Sequence, residues 1–111
     1  MSVNGDNVVK LAGAELISSR LKHLPNGPGI YQMIDATGKP LYVGKAKKLR
    51  SRISSYTRLR GLPERIRVMV ARTANLEIIN THTEVEALLL ESNLIKKLRP
   101  HYNILLRDDK S

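Results

Sequence analysis

Gly29-Ile30-Tyr31-Gln32-Met33-Ile34-Asp35-Ala36-Thr37-Gly38-Lys39-Pro40-Leu41-Tyr42-Val43-Gly44 is the stretch that decides the fold of this 111-residue chain. Gly29 to Asp35 has the pattern of a strand, Asp35-Ala36-Thr37-Gly38-Lys39-Pro40 that of a turn, and Leu41 to Val43 that of the return strand. The two triplets Gly29-Ile30-Tyr31 and Tyr42-Val43-Gly44 are therefore expected side by side in a hairpin. With Met33 opposite Tyr42, strand alternation puts Tyr31 and Tyr42 on one face, where both phenols can reach one site. A register one residue different separates them.

Outward from the hairpin, the punctuation is clear. Upstream, Val8, Val9, Leu11, Leu16, Ile17 and Leu21 recur at near-helical intervals until Pro25-Asn26-Gly27-Pro28 interrupts them. An N-terminal helical segment over 1–24 and a compact domain over 25–111 are expected. Downstream, a helix from about Ala46 to Tyr56 would align Ala46, Leu49, Ile53 and Tyr56, and a second would start near Pro63 and bury Ile66, Met69 and Val70. Leu76 to Asn80 reads as a third strand. Thr83-Glu84-Val85-Glu86 has the reciprocal capping spacing, so a last helix should run from there to about Leu98 before Pro100. The fold class is α/β (α+β), a small central three-stranded antiparallel sheet flanked by helices.

Lys and Arg total 19 against 10 Asp and Glu, a formal charge of +9, which favours a polyanionic partner. No stretch approaches the roughly 20 apolar residues of a membrane crossing, and the start has no secretory pattern, so a cytoplasmic nucleic-acid-binding protein is expected. The absence of cysteine removes disulfides, thiolate metal sites and a cysteine nucleophile. His23, His82 and His101 have no metal-ligand spacing and read as surface or structural residues. Between Lys45 and Arg72 stand ten basic residues and one acid, Glu64, a denser footprint for DNA than the global charge. With no Trp or Phe and four tyrosines, the chain suits gripping a duplex backbone better than stacking single-stranded bases.

Two constellations carry possible chemistry. Glu91 has Ala87, Leu88, Leu94 and Ile95 as its helical neighbours, so its carboxylate should be ringed by apolar groups, where it must bind a proton, pair with a base or hold a cation. A structural salt bridge is the plain alternative. If helical geometry begins at Lys45, then Lys45, Arg52 and Tyr56 lie within roughly 40° of one another around the axis, a stripe that is otherwise an ordinary exposed basic face. Lys47, Lys48, Arg58, Arg60 and Arg65 read as phosphate contacts.

The triplets, the run Gly44-Lys45-Ala46-Lys47-Lys48-Leu49-Arg50-Ser51-Arg52-Ile53-Ser54-Ser55-Tyr56 and the late Glu86-Ala87-Leu88-Leu89-Leu90-Glu91-Ser92-Asn93-Leu94-Ile95-Lys96 together resemble the GIY-YIG nuclease superfamily. Within it they resemble the N-terminal catalytic domain of the UvrC family. The resemblance runs from about Leu24 to Ser111, with Val43 where the superfamily name has Ile. It implies an active site of Tyr31, Tyr42, Lys45, Arg52, Tyr56, Glu91 and Asn103. Glu91 would bind one Mg²⁺ or Mn²⁺, Arg52 would hold the phosphate, and Tyr42, with Tyr31 as the alternative, would take a proton from the attacking water. Tyr56 and Asn103 would position water, metal or phosphate.

The implied activity is metal-assisted hydrolysis of a DNA phosphodiester, making the 3′ incision of nucleotide excision repair on damaged duplex DNA prepared by UvrA and UvrB. The segments that contact UvrB lie outside this module, so an isolated, monomeric domain of a longer protein is expected. The rivals are another stand-alone GIY-YIG nuclease, against which the tail from Lys97 to Leu106 speaks, and a nonenzymatic basic module that only binds nucleic acid.

Overall fold

A computed structural model describes residues 11–108. Helix α1 (Gly13–Leu21) leads into the hairpin β1 (Gly29–Ile34) and β2 (Pro40–Ala46), then α2 (Leu49–Ser54), two short 3-10 turns, α3 (Glu64–Arg72), β3 (Asn75–Asn80), α4 (Glu84–Leu98) and α5 (His101–Asp108). The sheet has the order β2-β1-β3 with both pairings antiparallel, so β2 is an edge strand. Of the expected N-terminal helix, Val8 and Val9 lie outside the described residues. Leu16 and Ile17 are buried.

Asp35 makes the hairpin turn. Its Oδ1 accepts hydrogen bonds from the Thr37 and Lys39 backbone N–H groups, both at 2.9 Å, and from the Thr37 hydroxyl at 2.7 Å. Gly38 adopts φ 89°, a conformation that glycine takes without penalty. The hydrogen bonds from the Thr37 hydroxyl and the Lys39 backbone hold the Asp35 carboxyl below its usual range.

Met33 stands opposite Tyr42, the register that alternation required, and Tyr31 stands opposite Gly44. One sheet face thus carries Tyr31, Met33, Tyr42, Leu76 and Ile78, packed with Ile17, Leu49, Ile53, Met69 and Val70 of α1 to α3. The other face presents Ile30 and Val43 to Ala87, Leu90, Leu94, Ile95 and Leu98 of α4. The sheet is therefore the middle layer of a sandwich.

Two expectations need correction. The helix after Gly44 starts at Leu49, because β2 goes on pairing with β1 through Lys45 opposite Ile30 and Ala46 opposite Gly29. Leu49 N–H is then taken by the Gly27 carbonyl at 3.1 Å, and the helical stripe of Lys45, Arg52 and Tyr56 does not form as drawn. Tyr56 falls in the 3-10 turn Ser55–Thr57. The second correction is α5, which continues the chain after Pro100 and buries Tyr102, with Leu105 and Leu106 packed against the same core.

The cap of α4 follows the sequence pattern. Thr83 Oγ1 accepts from Glu86 N–H at 3.1 Å while Glu86 Oε1 accepts from Thr83 N–H at 3.1 Å, the capping box. At the other end Arg99 turns left-handed with φ 46°, which redirects the chain into α5.

Candidate active site

The site begins with Tyr31. Its ring is fully buried and lies over Gly44, where an added Cβ would meet the Tyr31 hydroxyl at 2.5 Å and Tyr42 Cε2 at 2.8 Å. Only a residue without a side chain lets the phenol lie there. The Tyr31 hydroxyl is 2.6 Å from that of Tyr56, and its ring is 6.1 Å from Tyr42 and 5.9 Å from Tyr56 between centroids. Arg52, reaching in from α2, completes the group with a side-chain hydrogen bond to Tyr31.

Burial pushes the Tyr31 phenol well above its ordinary value, reinforced by Tyr56 and Tyr42 and opposed by the Arg52 hydrogen bond. Burial also raises Tyr42, to about 12, with Tyr56 and Glu91 adding to the push and the Arg52 guanidinium pulling against it. The Tyr31 hydrogen bond in turn raises Arg52, so the guanidinium stays charged. Glu91 contributes one of the smaller effects on Tyr42, an upward push that ranks after burial, Tyr56 and Arg52. A carboxylate on the helix that covers one sheet face acts on a phenol that packs on the other.

Glu91 is half-buried. Its apolar ring is open on one side: Ala87 is buried and Leu94 and Ile95 pack inward, but Leu88 is 48% exposed. The expected enclosure is thus partial. Among the described residues no three His, Asp or Glu side chains gather into a metal cluster. A carboxylate oxygen is a hard donor of the kind that Mg²⁺ takes, and such an ion keeps most of its own water.

Asn103 acts on the backbone. Its Oδ1 accepts from Val43 N–H at 2.8 Å and its Nδ2 donates to the Val43 carbonyl at 2.9 Å. Val43 is the centre of the second triplet, and on the edge strand these two groups face away from β1. The Asn103 amide therefore does what a neighbouring strand would do, fixing the segment that carries Tyr42 and Gly44. One lone pair of Oδ1 and one hydrogen of Nδ2 are engaged in this contact.

Lys45, exposed near the end of β2, lies with Lys47, Lys48, Ser51, Arg52 and Ser55 along an open groove. Lys47 is a surface residue 4.0 Å from Glu84. Arg58 and Arg60 are exposed between α2 and α3, and Arg65 is exposed in the first turn of α3. His82 is also exposed, 3.4 Å from Glu86. No helix among the described residues is long and apolar enough to cross a membrane.

A profile of the UvrC-like GIY-YIG domain matches residues 27–104. The chain is 58% identical over 101 residues to UvrABC system protein C of Rhizobium meliloti (strain 1021), covering 91% of this chain and 15% of that protein. It belongs to the UvrC-like GIY-YIG family. The family relative from Bartonella henselae is also 58% identical, over 89% of this chain. The chain thus spans about 15% of the length of these UvrC relatives.

Among solved structures, the GIY-YIG N-terminal endonuclease domain of UvrC from Thermotoga maritima, bound to magnesium as its catalytic divalent cation, superposes with a TM-score of 0.70. That domain is 40% identical, and the match covers 78% of this chain and 93% of the other. Versions of that UvrC domain with an asparagine changed to alanine, or with a tyrosine changed to phenylalanine, also hold the cation.

Proposed function

We propose that this chain is a divalent-metal-dependent DNA endonuclease domain whose site comprises Tyr31, Tyr42, Lys45, Arg52, Tyr56 and Glu91, with Asn103 as its brace. The observation that carries this reading is the buried phenol cluster, with the Tyr31 hydroxyl 2.6 Å from that of Tyr56 and the Tyr31 ring 6.1 Å from Tyr42. It stands in a chain 40% identical to the magnesium-bound UvrC endonuclease domain of Thermotoga maritima. A module that only grips phosphate needs cations, with no use for phenols gathered over a glycine.

The Glu91 carboxylate suits Mg²⁺ or Mn²⁺, being a hard oxygen donor. Bound there, the ion would supply Lewis-acid polarisation of a phosphate oxygen. In the Thermotoga maritima domain the cation stays when an asparagine is changed to alanine or a tyrosine to phenylalanine, which agrees with a carboxylate as the holder. Arg52 offers a fixed fork of donors to the phosphate and stabilises charge gained in the transition state. Lys45, Lys47 and Lys48 hold the neighbouring phosphates in the groove, and Arg58, Arg60 and Arg65 extend the cationic surface.

Tyr42 is the proton acceptor for the attacking water. Tyr31 is fully buried and its hydroxyl is committed to Tyr56, whereas Tyr42 is only half-buried. At a value of about 12 the phenolate is scarce at neutral pH. The upward push of the Glu91 carboxylate is more than offset when it holds a divalent cation, which with the Arg52 guanidinium favours the phenolate.

Within a full-length relative, this domain makes the 3′ incision of nucleotide excision repair on damaged duplex DNA, after UvrA and UvrB have prepared the site, in the cytoplasm. Alone it acts as a monomer. Nicking of supercoiled DNA that requires Mg²⁺ or Mn²⁺ and vanishes in Glu91→Ala supports the reading. Equal DNA binding with no nicking by the wild type, even with UvrA, UvrB and a lesion-bearing duplex, makes the chain a binding module.

A further inference from the structure

Beside the catalytic groove lies a pocket of about 310 Å³ that the chemistry above does not use. Lys45 and Lys47 come to it from β2 and the segment after it, and Glu84, Val85, Ala87 and Leu88 from the first turns of α4. Four of its lining residues, Ala46, Val85, Ala87 and Leu88, are apolar, yet Val85 is 65% and Leu88 48% exposed. Apolar side chains left open beneath two lysines are not explained by core packing. Leu88 lies three residues before Glu91, one turn away on the same side of α4. Lys45 and Lys47 also line the cationic groove that contains Arg52, so pocket and groove share a wall.

We propose that this pocket receives the nucleobase next to the phosphate being cut, taken out of the duplex stack. The inference rests on the nuclease reading, which places that phosphate between Arg52 and Glu91. The occupant follows from charge and continuity. A chain whose phosphates run along Lys45 and Lys47 carries an apolar-faced ring at each phosphate, and only one turn of helix separates Glu91 from the opening. The aliphatic side chains of Val85 and Leu88 offer the ring faces a dry surface, and Glu84 at the rim can accept from an amino group on the base edge. Extruding a base is costly when it is paired and cheaper at a mismatch, so cutting should favour weakly paired nucleotides at this position.

The test uses the 111-residue protein and duplexes carrying 2-aminopurine at successive positions around a mapped nick, bound in Ca²⁺ and then cut in Mg²⁺. A several-fold rise in fluorescence at one nucleotide adjoining the nick is expected. Leu88→Asn, neutral and similar in size at a half-exposed position, should abolish the rise and slow nicking of paired duplex about tenfold. A mismatch at that nucleotide should restore most of the rate, which a mere folding defect would not allow. Val85→Asn should act in the same direction. Flat fluorescence at every position with normal nicking, or Leu88→Asn nicking paired duplex at the wild-type rate, overturns the pocket assignment, leaves the nuclease reading intact and hands the pocket to a protein partner. Absence of nicking with retained DNA binding, when UvrA, UvrB and a lesion-bearing duplex are also present, overturns both.

Discussion

Tyr31 lies over Gly44 so closely that the glycine hydrogen takes the place where any other residue would put a carbon 2.5 Å from the phenol oxygen. The second triplet therefore ends in glycine because the first ends in tyrosine. Gly44→Ala should displace the Tyr31 ring, break its 2.6 Å contact with Tyr56 and lower nicking more than tenfold, at a stability cost of about 1–3 kcal/mol. Thermal denaturation and nicking rates measured on the same preparation check this. Gly29→Ala is the contrasting case: its Cβ would meet the Ile79 carbonyl at 2.4 Å, a backbone clash, so folding should suffer first.

Asn103 supplies both the donor and the acceptor that Val43 needs. Asn103→Ala should cost about 1–3 kcal/mol by leaving two backbone groups of the edge strand without this partner. Asn103→Asp should be at least as damaging although it is closer in shape, because a carboxylate cannot donate to the Val43 carbonyl and would face its oxygen instead. Chemical denaturation of the two variants decides the order, and hydrogen exchange at Val43 N–H reports whether the pairing is lost.

Raised phenol values make stability depend on alkaline pH. A phenol held neutral in the fold but free to ionise near pH 10 in the unfolded chain contributes stability that is complete below about pH 10. That contribution is lost as pH rises through the folded value. For Tyr42 the folded value is about 12, so the window is about pH 10 to 12 and the loss up to roughly 3 kcal/mol, with Tyr31 adding in the same direction. Denaturation midpoints should be insensitive to phenol ionisation below pH 10 and fall above it, less steeply in Tyr42→Phe.

DNA binding should follow the groove. Lys47→Ala and Lys48→Ala should each reduce the slope of log K against log salt by about 1. Lys39→Ala is the control. Lys39 is exposed at the opposite end of β2, some 20 Å away along the strand, and its loss should leave the slope unchanged.

The hairpin was the most legible part of the fold. A strand alternates with period two, so the Met33–Tyr42 pairing and the shared face of the tyrosines follow once the turn is located. The Thr83 and Glu86 cap was equally plain, because its partners are three residues apart. What escaped depends on distant contacts. Lys45 and Ala46 look helical on their own and become strand because Ile30 and Gly29 pair with them. Pro100 stops α4 as expected, but the left-handed turn at Arg99 lets α5 follow at once. The spacing of Tyr102, Leu105 and Leu106 was the signal for that helix. The engagement of Asn103 with Val43 joins residues sixty apart, and no local pattern announces it.

The central claim is that one carboxylate, Glu91, holds one divalent ion beside the Tyr42 phenol. Titration with Mn²⁺ followed by electron paramagnetic resonance counts bound ions directly. One ion per chain is expected for the wild type and for Tyr42→Phe, with nicking lost only in the latter by about 100-fold or more, and no binding is expected in Glu91→Ala. A Glu91→Ala protein that takes up one Mn²⁺ with unchanged affinity contradicts the account.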